Sequence, residues 1–300
     1  MGDNVLTDCT LCPRNCHADR TNGMRGYCGV TDTLIVARAA LHMWEEPCIS
    51  GEEGSGTVFF SGCALGCVYC QNHGISKGLA GKAITIERLS DIFLELQNKG
   101  ANNINLVTPS HYVPQIIEAL EGAEKKGLCL PIVYNTSAYE KVETIKTLEG
   151  YVDVYLPDFK YFNSDIGKRY SNCLDYFSYA SAAVEEMVRQ QPNPVFDERG
   201  IMEKGVLVRH LMLPGYLDDS KLIIKYLYEA FHDQIYISIM NQYTPLENVA
   251  AYPEINRKTI RKDYDELVDY AISLGIEHGF TQEEETALER FIPDFSNEGV

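Results

Sequence analysis

From about residue 55 onward, short apolar runs alternate with longer segments of helical spacing. Thr57 to Phe60 predicts a first strand. Ile86, Leu89, Ile92, Phe93 and Leu96 repeat at helical spacing, with Thr85 placed to cap the start and Gly100 to close the end. Ile104 to Val107 predicts the next strand, followed by a helix through Ile116, Ile117 and Leu120 that stops near Gly127. Pro131 to Tyr134, Val152 to Leu156, Val206 to Leu211 and Ile235 to Met240 read as further strands. Helices near 142–148, 219–231 and 259–274 follow three of them.

This rhythm predicts an α/β fold with a parallel sheet and right-handed crossovers. Six such units suit a partial (β/α)6 TIM-type barrel, whose reactive residues would stand at the C-terminal ends of the strands. One connection, residues 162–200, breaks the rhythm. It predicts a helix around Ala180 to Arg189, ended by Gln190-Gln191-Pro192-Asn193-Pro194. The division expected is a Cys-rich lobe over 1–50 and the barrel over 51–300. The acidic segment from Gln282 reads as solvated.

Ten cysteines change the picture most. Cys63, Cys67 and Cys70 lie in Gly62-Cys63-Ala64-Leu65-Gly66-Cys67-Val68-Tyr69-Cys70, on a loop leaving the first strand. Three thiolates spaced this way can bind three irons of a 4Fe–4S cluster and leave the fourth iron open to a small ligand. Buried thiols or a partial zinc site are the weaker reading, because zinc normally takes four ligands in close pairs. Cys9, Cys12, Cys16 and Cys28 form a second group. Four cysteines could fill every position of a structural zinc, so zinc is expected there; an auxiliary cluster or an unmetallated lobe are the alternatives. Cys48, Cys129 and Cys173 are isolated and read as packed thiols.

Charge and hydropathy narrow the classes. A net charge of −17 argues against nucleic acid, which needs a basic surface. No apolar run is long enough to span a membrane. Met1-Gly2-Asp3-Asn4 lacks the basic start of a signal peptide, so a cytoplasmic protein is expected, with its cysteines serving metals rather than disulfides.

The cysteine spacing, with Tyr69 before the last thiol, resembles the radical S-adenosylmethionine (SAM) superfamily. More narrowly, the chain resembles the PflX type, named for similarity to pyruvate formate-lyase activating enzyme. Further marks are Glu45-Glu46-Pro47, Thr108-Pro109-Ser110-His111, Leu156-Pro157-Asp158-Phe159-Lys160 and Arg209-His210-Leu211-Met212-Leu213-Pro214-Gly215. The resemblance covers nearly the whole chain. It implies that Cys63, Cys67 and Cys70 hold a cluster whose open iron binds SAM, with Tyr69 against the adenine. Thr108, Ser110 and His111 stand where many members carry Gly-Gly-Glu, a departure that leaves the contact to the SAM amino group to be shared. Asn135 and Ser137 would reach SAM, Asp158 and Lys160 its ribose, Arg209 its carboxylate and Gln242 the nucleoside. Lys160 and Arg209 are the expected catalytic pair.

The implied function is reductive cleavage of SAM to a 5′-deoxyadenosyl radical that abstracts a hydrogen from a substrate. That substrate would be a glycine of a glycyl radical enzyme or another protein, a peptide or a small molecule, with flavodoxin or ferredoxin as reductant. Structural readings stand beside this. Asp158–Lys160 could be an ion pair at a rim, His111 a satisfied loop histidine, Glu45–Glu46 a solvated pair, and the chain a non-catalytic metal-binding interaction protein.

Overall fold

The computed structural model describes residues 5–78, 80–282, 293 and 295–300. After the Cys-rich segment, the chain runs β1 (Leu34–His42), α1 (Pro47–Ser50), β2 (Ser55–Phe60), α2 (His73–Ser76), β3 (Lys82–Ile84), α3 (Ile86–Asn98) and β4 (Ile104–Val107). It continues through α4 (Val113–Glu124), β5 (Ile132–Thr136), α5 (Val142–Lys146), β6 (Val154–Pro157), α6 (Ser164–Ser171), α7 (Tyr176–Gln190) and β7 (Val195–Phe196). The last elements are β8 (Met202–Leu211), α8 (Leu217–Phe231), β9 (Tyr236–Met240), α9 (Arg261–Leu274) and β10 (Gly279–Thr281).

The sheet order is β10-β9-β8-β6-β5-β4-β2-β1-β3, with β7 paired to β8. Strands β2, β4, β5, β6, β8, β9 and β10 pair in parallel. The α/β partial-barrel expectation therefore holds. Strands β2, β4, β5 and β6 are buried along their whole length, as parallel strands with helices against them must be.

Two features lie outside the predicted rhythm. Residues 34–42, grouped above with the N-terminal lobe, form β1, which pairs antiparallel with β2 in register His42↔Ser55. The connection 162–200 holds two helices rather than one. Asn163 caps α6 through its side chain, and Asn172 ends it in a left-handed conformation. Part of the acidic segment lies outside the described residues, but its end docks. Asn297 donates to Ala37 O, Ala39 N–H donates to Glu298 O, and Arg38 pairs with Glu298 at 2.7 Å. Among the described residues no helix is long and apolar enough to cross a membrane.

Helix α3 illustrates how the outer layer is held. The Thr85 hydroxyl accepts from Arg88 N–H, and Leu89, Ile92, Phe93 and Leu96 present one buried face. Phe93→Ala should cost about 3–5 kcal/mol in denaturant unfolding by opening a cavity. Leu222→Ala, at a side chain exposed on α8, should stay within about 0.5 kcal/mol. Equal losses would contradict this packing.

Candidate active site

A cavity of about 240 Å³ opens at the C-terminal ends of the parallel strands. Phe59 and Phe60 of β2, Val107 of β4, Asn135 and Thr136 of β5, Arg209 and Leu211 of β8 and Met240 of β9 reach it, as do Thr108, Ser137, Asp158, Lys160 and Gln242 just beyond their strands. Cys63, Cys67, Tyr69 and Cys70 line the same space. Eleven of the site residues read from the sequence (Cys63, Cys67, Cys70, Tyr69, Thr108, Asn135, Ser137, Asp158, Lys160, Arg209 and Gln242) thus meet in one cavity.

The cysteine loop is fixed from several sides. Val68 N–H donates to Tyr170 O, the Asn248 amide to Cys70 O, and the Gln71 amide to Gln242 O. Tyr69 is buried among Tyr161, Tyr170 and Tyr243, with ring centroids 6.1–6.4 Å away. Each sulfur has donors nearby: backbone N–H groups of Leu65 and Gly66 face Cys63, and that of Asn72 faces Cys70. The Ser171 hydroxyl lies 3.1 Å from Cys67 Sγ. Burial and neighbouring thiols push Cys70 up to about 12 and raise Cys63, with Lys160 pulling both back. Thiols so placed ionise when a cation compensates them. Three free thiols on one loop, with N–H and O–H donors aimed at sulfur, fit three-cysteine ligation of a 4Fe–4S cluster.

Opposite the loop is a charged network. Arg209 Nε donates to Asp158 Oδ1 at 2.7 Å, Nη1 to Glu45 Oε2 at 2.8 Å and Nη2 to Asn135 Oδ1 at 2.7 Å. Lys160 Nζ reaches Asp158 Oδ2 at 2.8 Å. Burial would push the Asp158 carboxyl up, but Arg209 and Lys160 together hold it below the usual range. Burial raises Glu45 and Glu46 against the pull of Arg209. Glu45 and Glu46 are therefore buried partners of Arg209 rather than a solvated pair; their side chains are only 9% and 7% exposed. Thr108 holds φ at +57°, a left-handed conformation costly for a β-branched residue, at the end of β4.

Ser110 and His111 are turned into the protein, away from the cavity. The Ser110 hydroxyl donates to Glu140 Oε1, and His111 Nε2 is 2.8 Å from Ser61 O. Burial lowers His111 to about 3, so it is neutral. Cys48 and Cys173 are buried as expected, but Cys129 is exposed on the connection after α4, against Gln97. Sequence reading missed Glu140, which has no periodic or motif signal. It is fully buried, and Thr136, Ser110 and Tyr134 hydroxyls face its Oε1. It lies between the site and the N-terminal lobe, where Thr144 Oγ1 of α5 donates to Leu11 O at 2.6 Å.

The four N-terminal cysteines lie in that lobe. Among the described residues no three His, Cys, Asp or Glu side chains stand as a grouping that would hold a single metal ion. The zinc expected there has no support in the structure.

Burial raises the Glu140 carboxyl to about 7, against the pull of its hydroxyl donors. Between the unfolded value near 4.5 and about 7, the unfolded chain has lost this proton while the fold keeps it. Stability from this group must therefore fall as pH rises through that window. Wild type should lose on the order of 3 kcal/mol relative to Glu140→Gln between pH 4 and pH 8. Parallel unfolding free energies for the two proteins would contradict the assignment.

Comparison with known proteins gives the family. The Radical SAM superfamily model matches residues 57–227. An uncharacterized protein of Methanocaldococcus jannaschii, MJ0674, is 28% identical over 280 residues, covering 90% of this chain and 76% of that protein. Two solved structures share the fold at 14% identity and a TM-score of 0.51. Streptococcus suis SuiB bound to S-adenosylmethionine is matched over 75% of this chain and 49% of its own. The FeFe-hydrogenase maturase HydG of Carboxydothermus hydrogenoformans is matched over 77% and 53%. The chain thus spans about half the length of these structures. The family match begins in β2, runs through the cysteine loop and ends in α8, and on this ground the chain belongs to the Radical SAM superfamily.

Proposed function

We propose that this radical SAM enzyme abstracts a hydrogen from a polypeptide segment presented at the mouth of the sheet. The observation that carries the reading is the shared cavity. The cysteine loop and the polar ends of β5, β6, β8 and β9 face one space, and the indole of Trp44, 62% exposed, stands on its wall. Met43 beside it is also exposed. An apolar rim beside a polar interior suits a chain segment that docks by side chain and presents backbone to the reacting centre. A glycyl-radical activase and a peptide-modifying enzyme are two forms of this reading.

In the superfamily, a reduced 4Fe–4S cluster and SAM supply a 5′-deoxyadenosyl radical as the hydrogen-abstracting species. Cys63, Cys67 and Cys70 would hold the cluster, leaving one iron for SAM. Asp158 offers a carboxylate whose two oxygens are already aligned by Arg209 and Lys160, so accepting from ribose hydroxyls needs little rearrangement. Arg209 acts first as a positioning residue, because Nε, Nη1 and Nη2 each donate within the protein. Its approach to a SAM carboxylate would use the remaining N–H groups. Asn135, Ser137, Thr108 and Gln242 complete the polar wall. Tyr69, buried in the tyrosine cluster, excludes water beside the cysteine loop. Flavodoxin or ferredoxin would deliver the electron.

Anaerobically reconstituted protein, given dithionite and SAM, should release 5′-deoxyadenosine. Cys67→Ala should lower the yield more than about 100-fold, while Cys129→Ala, at an exposed thiol outside the cavity, should match wild type. An undiminished yield in Cys67→Ala would refute the assignment of the loop. Addition of polypeptide substrate should leave a radical or modification on that chain; turnover only with small molecules would refute the polypeptide reading.

A further inference from the structure

We propose that Cys9, Cys12, Cys16 and Cys28 bind a second iron–sulfur cluster. The main chain brings the four together. Cys9 N–H donates to Ala18 O and its carbonyl accepts from His17 N–H, which pairs Cys9 with the residues after Cys16. Tyr27 N–H donates to Cys16 Sγ at 3.1 Å, which brings Cys28 alongside. Gly26 packs closely here, since a Cβ would stand 3.0 Å from Cys16 Sγ. Asn15 and His17, on either side of Cys16, both hold left-handed backbone, a strain that needs a local cause.

Two observations call for anionic sulfur at this place. The first is a donor for every thiol. Tyr27 N–H serves Cys16, Arg20 Nη1 lies 3.8 Å from Cys9 Sγ, and the backbone N–H groups of Arg14 and Val30 face Cys12 and Cys28. Donors of this kind stabilise metal-bound thiolates. The second is Arg20 itself. It is fully buried, and its hydrogen bonds go to Thr31 O and His111 O. Among the described residues no carboxylate pairs with it. A buried guanidinium without a counter-charge is costly, and a thiolate-ligated cluster beside Cys9 would supply the negative charge.

Among the described residues these cysteines do not stand as a cage for a single ion, which favours iron–sulfur over zinc. Cys9, Cys12 and Cys16 are spaced two then three, the reverse of Cys63, Cys67 and Cys70, and both groups span eight residues. Neither group stands as a cage for a single ion. A four-iron cluster spreads its cysteines over separate irons and does not need such a cage. Cys28 supplies the fourth ligand, so this cluster has no open iron and serves a different role from the one at the cavity. Arg14 joins the two loops: Nε donates to Ala64 O, Nη2 to Leu65 O and Ser171 O, and Nη1 to Asn172 O. Its guanidinium also stacks on Tyr27, 3.8 Å from the ring centroid.

The test is iron, sulfide and zinc analysis of the full chain prepared anaerobically, with electron paramagnetic resonance of the reduced protein. Wild type should carry about 8 iron and 8 sulfide, and the triple variant Cys63→Ala, Cys67→Ala, Cys70→Ala about 4 of each. Cys12→Ser with Cys16→Ser should also retain about 4, at the cavity loop. Wild type should show two signals, one of them unchanged by SAM, which holds even where a variant folds poorly. One equivalent of zinc with half the iron, or wild type with a single SAM-responsive signal, would overturn the proposal. Iron retained in the triple variant with no SAM cleavage by wild type would instead refute the proposed function and leave this site standing.

Discussion

A guanidinium held in the mouth of the sheet sets much of what surrounds it. Arg209 stands at the end of β8, mostly shielded from water, where an unpaired cation would be strongly destabilising. Its three acceptors come from separate parts of the chain: Glu45 from the β1–α1 link, Asn135 from β5 and Asp158 beyond β6. Charge compensation therefore gathers strand ends that are distant in sequence. Asp158 is doubly held, since Lys160 takes its other oxygen. The polar wall facing the cysteine loop is thus held by the protein's own charge pairs, which is the condition for preorganised binding.

The cysteine loop completes the cavity from the opposite side and is itself secured by distant segments. Tyr170 accepts from Val68, Asn248 donates to the Cys70 carbonyl, and Arg14 grips the carbonyls of Ala64 and Leu65. The N-terminal lobe is therefore part of the scaffold that holds the cavity loop. Glu140 and Thr144 lie along the same contact. Order in the lobe and order in the cavity loop are coupled through these bonds.

Much of this was legible in the sequence where the signal was local. The βα rhythm, the Thr85 cap and the spacing of Cys63, Cys67 and Cys70 each depend on neighbours within a few residues, and each appears in the structure. What escaped depends on long-range pairing. Strand β1, Leu34-Ile35-Val36-Ala37-Arg38-Ala39-Ala40-Leu41-His42, has no clean alternation because β2 pairs along Val36–His42 while β3 takes Leu34–Val36 and residues 297–298 bond Ala37 and Ala39. The burial of Glu45 follows from a partner 164 positions away. Ser110 and His111 carry suitable chemistry but turn inward, where Glu140 takes the Ser110 hydroxyl and Ser61 O faces His111 Nε2. Glu140 itself belongs to no motif, and its role is set by three hydroxyls that only the fold assembles.

Three cysteines at the cavity loop would leave one iron open for SAM beside the Asp158–Arg209 wall. Electron paramagnetic resonance of the reduced protein, recorded with and without SAM labelled at its amino nitrogen, tests it most directly. SAM should shift one cluster signal, and this signal should gain magnetic coupling to the labelled nitrogen. A spectrum that is unchanged at saturating SAM would contradict it.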